Sequence, residues 1–113
     1  MATHPYRQGQ VFVGRYGWNG EPVFFVAVAD GEKRITLCPI HKRVVDFVSR
    51  DAPYNQNTST WFVPFEPPYG QLTRAMRVTP KLGTDGKWHM QQGKHMWWEP
   101  WDGSPVQHDE YPD

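Results

Sequence analysis

Proline and glycine interrupt this sequence so often that little room is left for long helices. The chain of 113 residues contains 11 Pro and 10 Gly, spread along its length rather than collected in one tract. Proline lacks the amide hydrogen that a helix interior needs, and glycine loses much conformational freedom when a helix fixes it. Most of the segments between them are short, which favours strands joined by tight turns.

The clearest element is a β-hairpin in the first third of the chain. Residues 22–29 form an apolar run, and Asp30-Gly31 follows it. Residues 32–38 then provide the second strand of the hairpin. Asp-Gly tolerates the positive φ angles of a type I′ turn, so we expect a loop of these two residues. That register places Phe24 opposite Leu37. Both faces carry apolar residues, which predicts a central position for the hairpin.

The remaining segments predict strands with one short exception. Residues 10–16, 39–52 and 61–65 carry alternating, β-branched or aromatic side chains that are typical of strands. The second of these segments also fits a helical face, but its three valines favour a strand. Residues 71–78 allow a turn or two of helix. Residues 78–98 are expected to form a three-stranded meander with a turn at Asp85-Gly86.

Together these elements predict a mostly β fold, a small single-domain barrel or sandwich of antiparallel hairpins with at most one or two short helical segments. We expect a flexible N-terminal segment over residues 1–8, one β domain over residues 9–98, and an extended, acidic tail with Pro and Trp over residues 99–113. The expected core residues are Val11, Val13, Phe24, Val26, Ile35, Leu37, Phe47, Phe62 and Trp88.

Charge and cysteine content restrict the partners and the compartment. Lys and Arg number 12, as do Asp and Glu, and this balance disfavours nucleic acid or an anionic membrane as the partner. Cys38 is the only cysteine, so no intrachain disulfide can form and we expect a cytoplasmic location. No apolar stretch reaches the ~18 residues of a membrane span, and we expect no signal peptide.

The aromatic residues are concentrated in residues 87–101, which contain four of the six Trp. A three-residue loop at 91–93, with Gly93 in the left-handed position, sets His89 opposite His95 on one face of a hairpin. Alternation then assigns Trp88, Met96 and Trp98 to the core. The opposite face, with His89, His95 and Trp97, is the candidate functional surface.

This surface predicts a non-enzymatic module that binds a protein, because Trp and other aromatic residues anchor protein interfaces. The candidate partner-binding residues are Lys87, His89, Lys94, His95, Trp97 and Trp101. A second copy of the chain is one such partner, since an exposed strand edge pairs readily with its twin. A narrower hypothesis has the acidic tail fold back over the basic meander, or serve as the epitope that a basic partner recognises.

Two alternative functions remain open, and neither is enzymatic. In the first alternative, the Trp residues form a platform for a small ligand, a carbohydrate or a single-stranded nucleic acid. In the second, Cys38 and His41 have the C-x-x-H spacing of half a zinc site, which His89 and His95 complete. The main hypothesis requires no cofactor. The sequence has no nucleophile elbow, zinc-protease motif or phosphate loop, so we predict no catalytic residues.

Overall fold

The computed structural model describes residues 3–16, 20–51, 56–65, 70, 73–92 and 96–110. These residues form ten strands and no helix, and so contain no helix long and apolar enough to cross a membrane. The strands are β1 (Val11–Tyr16), β2 (Val23–Asp30), β3 (Ile35–Ile40), β4 (Lys42–Asp51), β5 (Gln56–Pro64), β6 (Met76–Val78), β7 (Lys81–Leu82), β8 (Trp88–Gln92), β9 (Met96–Pro100) and β10 (Val106–Glu110).

The ten strands are arranged in two antiparallel sheets. The large sheet has the order β6-β3-β2-β1-β9-β8-β7, and the small sheet has the order β10-β5-β4. The large sheet curls into a half-barrel, which brings β6 near β8. The predicted mostly β fold of antiparallel hairpins is therefore confirmed. The strands predicted at 10–16 and 39–52 are also confirmed, as β1 and β4.

The helical turn expected within residues 71–78 is wrong for the described part of that segment. Met76–Val78 is strand β6, and it pairs with β3 so that Val78 lies opposite Ile35. Both of these side chains are buried. Pairing with a buried strand decides the conformation here, because local helical spacing stabilises a short segment only weakly. Residues 71–72 lie outside the described residues.

The predicted central hairpin is present as β2 and β3, but its loop and register are corrected by the structure. Phe24 lies opposite Ile40 rather than Leu37. The Gly31 amide donates to the Arg34 carbonyl oxygen at 2.8 Å, and Gly31 does not have a positive φ. The charged residues 32–34 thus remain in an exposed loop instead of extending β3. Keeping these charges in water favours the longer loop over the two-residue turn.

Both faces of this hairpin are buried, and each belongs to a different core. The inner core lies on the concave side of the large sheet and contains Tyr6, Phe12, Phe25, Ala27, Ile35, Leu37, Val78, Met90 and Trp98. The intersheet core lies between the large and small sheets and contains Phe24, Val26, Cys38, Ile40 and Phe62. Burial on two sides explains why β2 reads as a continuous apolar run rather than as an alternating one.

One expected core residue is misplaced. Phe47 is 56% exposed, because β4 is an outermost strand of the small sheet and contributes no residue to the described cores. Five of the other expected residues are buried, namely Phe24, Val26, Ile35, Leu37 and Phe62. Val11, Val13 and Trp88 are partly buried against the cores.

Segments near both ends of the chain pack onto these cores. The Tyr6 ring meets Phe12 edge-on with centroids 5.4 Å apart, and its hydroxyl donates to the Trp88 carbonyl oxygen at 3.2 Å. Near the other end, β10 pairs with β5 in the small sheet. The hypothesis that the acidic tail covers the β7 to β9 meander is therefore wrong for residues 106–110. The meander itself is confirmed, with a positive φ at Gly86 in its first turn.

Gly14 provides a test of the inner core. A Cβ atom at this position would lie 2.6 Å from Phe25 and 2.9 Å from both Met96 and Trp98. We expect Gly14→Ala to lower the free energy of unfolding by about 1–3 kcal/mol, because two of these neighbours are rigid aromatic rings. Urea denaturation measures the change.

Gly31→Ala is the matched control, since its new methyl group meets only the Arg34 carbonyl oxygen, at 3.3 Å. We expect this variant to change stability by less than ~1 kcal/mol. Equal stability of the two variants would contradict the packing described around Gly14.

Candidate functional site

The β8–β9 hairpin has a register that corrects the predicted one. Gln92 lies opposite Met96 and Met90 lies opposite Trp98, so residues 91 and 92 belong to β8 and not to the loop. Met90 and Trp98 are almost completely buried. The longer strand is favoured because it brings these two large apolar side chains together in the inner core. The predicted loop at 91–93 is thus wrong for residues 91 and 92, and His95, the predicted partner of His89, lies outside the described residues.

The two faces of this hairpin are nevertheless divided as predicted. The difference between the two registers is an even number of residues, so each side chain keeps its face. Met90 and Trp98 point into the inner core, and Trp88 and Met96 pack against it. The other face carries His89, Gln91, Trp97 and Glu99. Most of the aromatic cluster is therefore core, and Trp97 is its main contribution to the outer face.

Three of the predicted partner-binding residues meet at one shallow cavity. Lys87, His89 and Trp97 line a depression of about 370 Å³, together with Gln91 and Glu99. Trp97 is half-buried and lies opposite Gln91 on β8 and Arg15 on β1. Tyr6, Trp88 and Trp98 also line the cavity, so its wall combines aromatic residues with amide and charged groups, a mixture that suits a polar ligand. Lys94 and His95 lie outside the described residues.

His89 is engaged in the turn that precedes β8. Its Nε2 atom lies 3.2 Å from both carboxylate oxygens of Asp85. The Lys87 amide donates to the same carboxylate at 3.0 Å, and these hydrogen bonds lower the pKa of Asp85. The imidazole also lies over Gly83, where a Cβ atom would come within 2.9 Å of the ring. His89 therefore stabilises a turn at the rim of the cavity, and a carboxylate fixes its orientation.

Trp101 does not join the other predicted partner-binding residues. Its ring packs edge-on against Phe24 with centroids 5.8 Å apart, at the border of the intersheet core. Its indole N–H donates to the Ser104 carbonyl oxygen at 2.7 Å, and its backbone N–H donates to the Val11 carbonyl oxygen at 2.9 Å. Trp101 fixes the connection between β9 and β10.

The residues of the zinc hypothesis are dispersed as far as the structure describes them. Cys38 is buried in the intersheet core, where its thiol is 3.6 Å from the carbonyl oxygens of Pro39 and Thr73. His41 is exposed and its ring faces Phe65. Across the described ranges no three His, Cys, Asp or Glu residues form a group that suits a metal ion. The structure therefore does not bring Cys38, His41 and His89 together in the part of the chain that it describes, and His95 lies outside those ranges.

Most of the large hydrophobic side chains that are exposed in the described residues lie on β4, where the sequence does not predict a site. We define the β4 apolar surface as Val44, Val45, Phe47 and Val48, which are 53%, 40%, 56% and 36% exposed. Phe65, 48% exposed, extends this surface, since its amide donates to the His41 carbonyl oxygen beside the start of β4. Val44 and Phe47 pair with Phe62 and Thr60 on one face of the small sheet, whereas Val48 pairs with Ser59 on the other face, so the surface lies on both sides of the strand. Large apolar side chains exposed together often mark a binding role.

A sequence signal for this surface exists. The segment Val44-Val45-Asp46-Phe47-Val48 is apolar at positions that fall on both faces of a strand. Such a pattern predicts burial on both sides, and a strand at the margin of a small sheet cannot achieve it.

The chain matches no protein-family model, and comparisons with curated proteins and with solved structures found no match.

The burial of Cys38 gives a prediction that separates a core thiol from a metal ligand. Burial raises the pKa of the Cys38 thiol, so the reactive thiolate is scarce at neutral pH. We expect the native protein to remain unmodified by a thiol reagent over a period in which the urea-unfolded chain reacts completely. Fast reaction of the native protein, or protection that depends on added zinc, would show that the thiol is accessible or bound to metal.

Proposed function

We propose that this chain is a non-enzymatic module that binds another protein through the β4 apolar surface. The observation that carries the proposal is that five of the six large hydrophobic side chains exposed in the described residues belong to β4 or to Phe65 beside it. None of these five residues contributes to either core of the described chain. Removing such side chains from water stabilises an interface by about 25 cal/mol per Å² of buried apolar area.

The position of β4 supports this role because it leaves one side of the strand open. Among the described residues β4 pairs only with β5, so its other edge offers backbone amide and carbonyl groups to a partner. Strand addition at such an edge combines backbone hydrogen bonds with side-chain contacts. The opposite edge of the same sheet is β10, whose residues 107–110 are polar or acidic. The two edges therefore differ in chemistry, and the apolar one is suited to binding.

Contacts at the start of β4 hold this surface in place. The Lys42 ammonium group donates to the Pro22 carbonyl oxygen at 2.7 Å and lies 2.8 Å from the Glu21 carboxylate. It also lies 4.7 Å above the centre of the Phe62 ring in the intersheet core. These contacts attach β4 to the large sheet, so the surface is presented by a fixed strand rather than by a loop.

The proposal includes a cytoplasmic location, which the single cysteine favours.

Site-specific photocrosslinking tests the proposal. A photoreactive phenylalanine derivative at position 47 is expected to crosslink to a defined polypeptide in extract of cells that express the chain. The added substitution Val48→Lys should reduce the yield about tenfold, because a charge on the interface opposes burial. Mass spectrometry identifies the crosslinked peptide on each side.

The matched control places the same photoreactive residue at position 33, in the exposed loop between β2 and β3. We expect no defined product from this position. Equal products from positions 33 and 47, or a product from position 47 that Val48→Lys does not reduce, would remove the proposal.

Ligand binding at the Trp97 cavity is the second candidate function. The observation that favours it is the meeting of Lys87, His89 and Trp97 at one depression of about 370 Å³. A half-buried indole stacks on the apolar face of a sugar ring or on a base, and the surrounding polar groups then orient the ligand.

Ligand-detected NMR with a panel of oligosaccharides and mononucleotides tests this second candidate. We expect saturation transfer to one class of ligand, with at least a tenfold weaker interaction after Trp97→Ala, since stacking on one aromatic ring contributes about 1–3 kcal/mol. Trp61→Ala, on the small sheet, is the matched control and should leave the signal unchanged. Absence of transfer from the whole panel, or equal loss in both variants, would count against the cavity.

A further inference from the structure

We infer that the partner of the β4 apolar surface is a second copy of this chain, paired antiparallel through β4 about a two-fold axis. This inference rests on the proposed protein-binding role of β4. The two small sheets would join into one continuous six-stranded sheet in the order β10-β5-β4-β4-β5-β10. Such an isologous interface closes on itself, so the assembly stops at a dimer.

A β-bulge in β4 decides which side chains share a face. Val44 pairs with Phe62 and Asp46 pairs with Trp61, so Val45 is the extra residue of the bulge. Arg43 lies opposite Val63 of β5, which is two residues from Trp61 on that strand. Paired residues share a face, and alternate residues of β5 share a face. Arg43 and Asp46 are therefore on one face of the small sheet although they are three residues apart.

Arg43 and Asp46 are placed along β4 so that two antiparallel copies of the strand can set each positive charge opposite a negative one. If Val44 lies opposite Val45 of the second copy, then Arg43 lies opposite Asp46 of the second copy, and the two-fold axis repeats the pair. The same register sets Lys42 opposite Phe47, and these two also share a face, since they pair with Pro64 and Thr60 of β5. Both pairs that flank the central valines thus join side chains on the same face, as a β-sheet requires.

The two charged groups are available for such pairs. Arg43 and Asp46 are both exposed, and neither forms an ion pair within the described part of the chain. The Asp46 carboxylate accepts one hydrogen bond, from the Phe47 amide at 2.8 Å, and its second oxygen is left to receive a guanidinium group. Opposite charges on facing strands contribute modestly to affinity, but they fix the register and reject a misaligned partner.

Two complementary charge-reversal variants, studied separately and as a mixture, test this arrangement. Arg43→Asp sets a negative charge opposite Asp46 of the second copy, and Asp46→Arg sets a positive charge opposite Arg43 of the second copy. We expect the unaltered chain to sediment as a dimer in analytical ultracentrifugation, and each variant to dissociate with a Kd at least about tenfold higher, because each interface then has two repulsive pairs. An equimolar mixture of the two variants should regain the affinity of the unaltered chain, because both cross-strand pairs become attractive.

Two controls and two outcomes make the result decisive. Lys33→Asp and Glu32→Arg change the net charge by the same amounts in the exposed β2–β3 loop and should leave the dimer unaffected. Circular dichroism verifies the fold of each variant, and recovery in the mixture shows that both remain competent to bind. A monomeric unaltered chain, or a mixture no tighter than its components, overturns the second copy as the partner. A product at position 47 with a different polypeptide then keeps the protein-binding role while excluding the dimer.

Discussion

Burial of both faces of the β2–β3 hairpin is the constraint on which the rest of the structure depends. Phe25 and Leu37 face the inner core, Phe24 and Ile40 face the intersheet core, and all four are at most 2% exposed. A single flat sheet leaves one of these faces in water. The large sheet therefore curls around one face, and the small sheet covers the other.

The same constraint explains why β4 is available for binding. The intersheet core takes Phe62 from β5, and Val106 from β10 packs against it, but among the described side chains it takes none from β4. β4 completes the pairing of β5 on the side away from β10, and its own outer edge and apolar side chains then face solvent. The Trp-rich hairpin is the opposite case. Its conspicuous composition mainly fills the inner core, and Trp97 with its polar neighbours lines part of an external cavity.

The local patterns of the sequence predict the strands, the meander and the faces of β8 and β9, because alternation with period two follows from the backbone of any strand. They predict the registers poorly. The Asp30-Gly31 pair suits a two-residue turn, yet the charged residues 32–34 are more stable in a longer exposed loop, and a bulge at Val28 completes the change. In the second hairpin, the burial of Met90 against Trp98 outweighs the glycine-containing turn. The candidate site shares this limit, since Trp97 and His89 are brought together as expected while Trp101 is not.

The sequence by itself determined that this chain is built from short antiparallel strands, and it determined which side chains share a face within each strand, since both properties depend on neighbours along the chain. Only the tertiary structure decided which strand lies outermost. Phe47 and Phe62 are the same residue type, but Phe47 is 56% exposed and Phe62 is 8% exposed. The difference arises from long-range pairing, since β5 lies between two strands and β4 does not. An exposed binding edge is therefore a property of sheet order, and sheet order is set by how the two cores are covered.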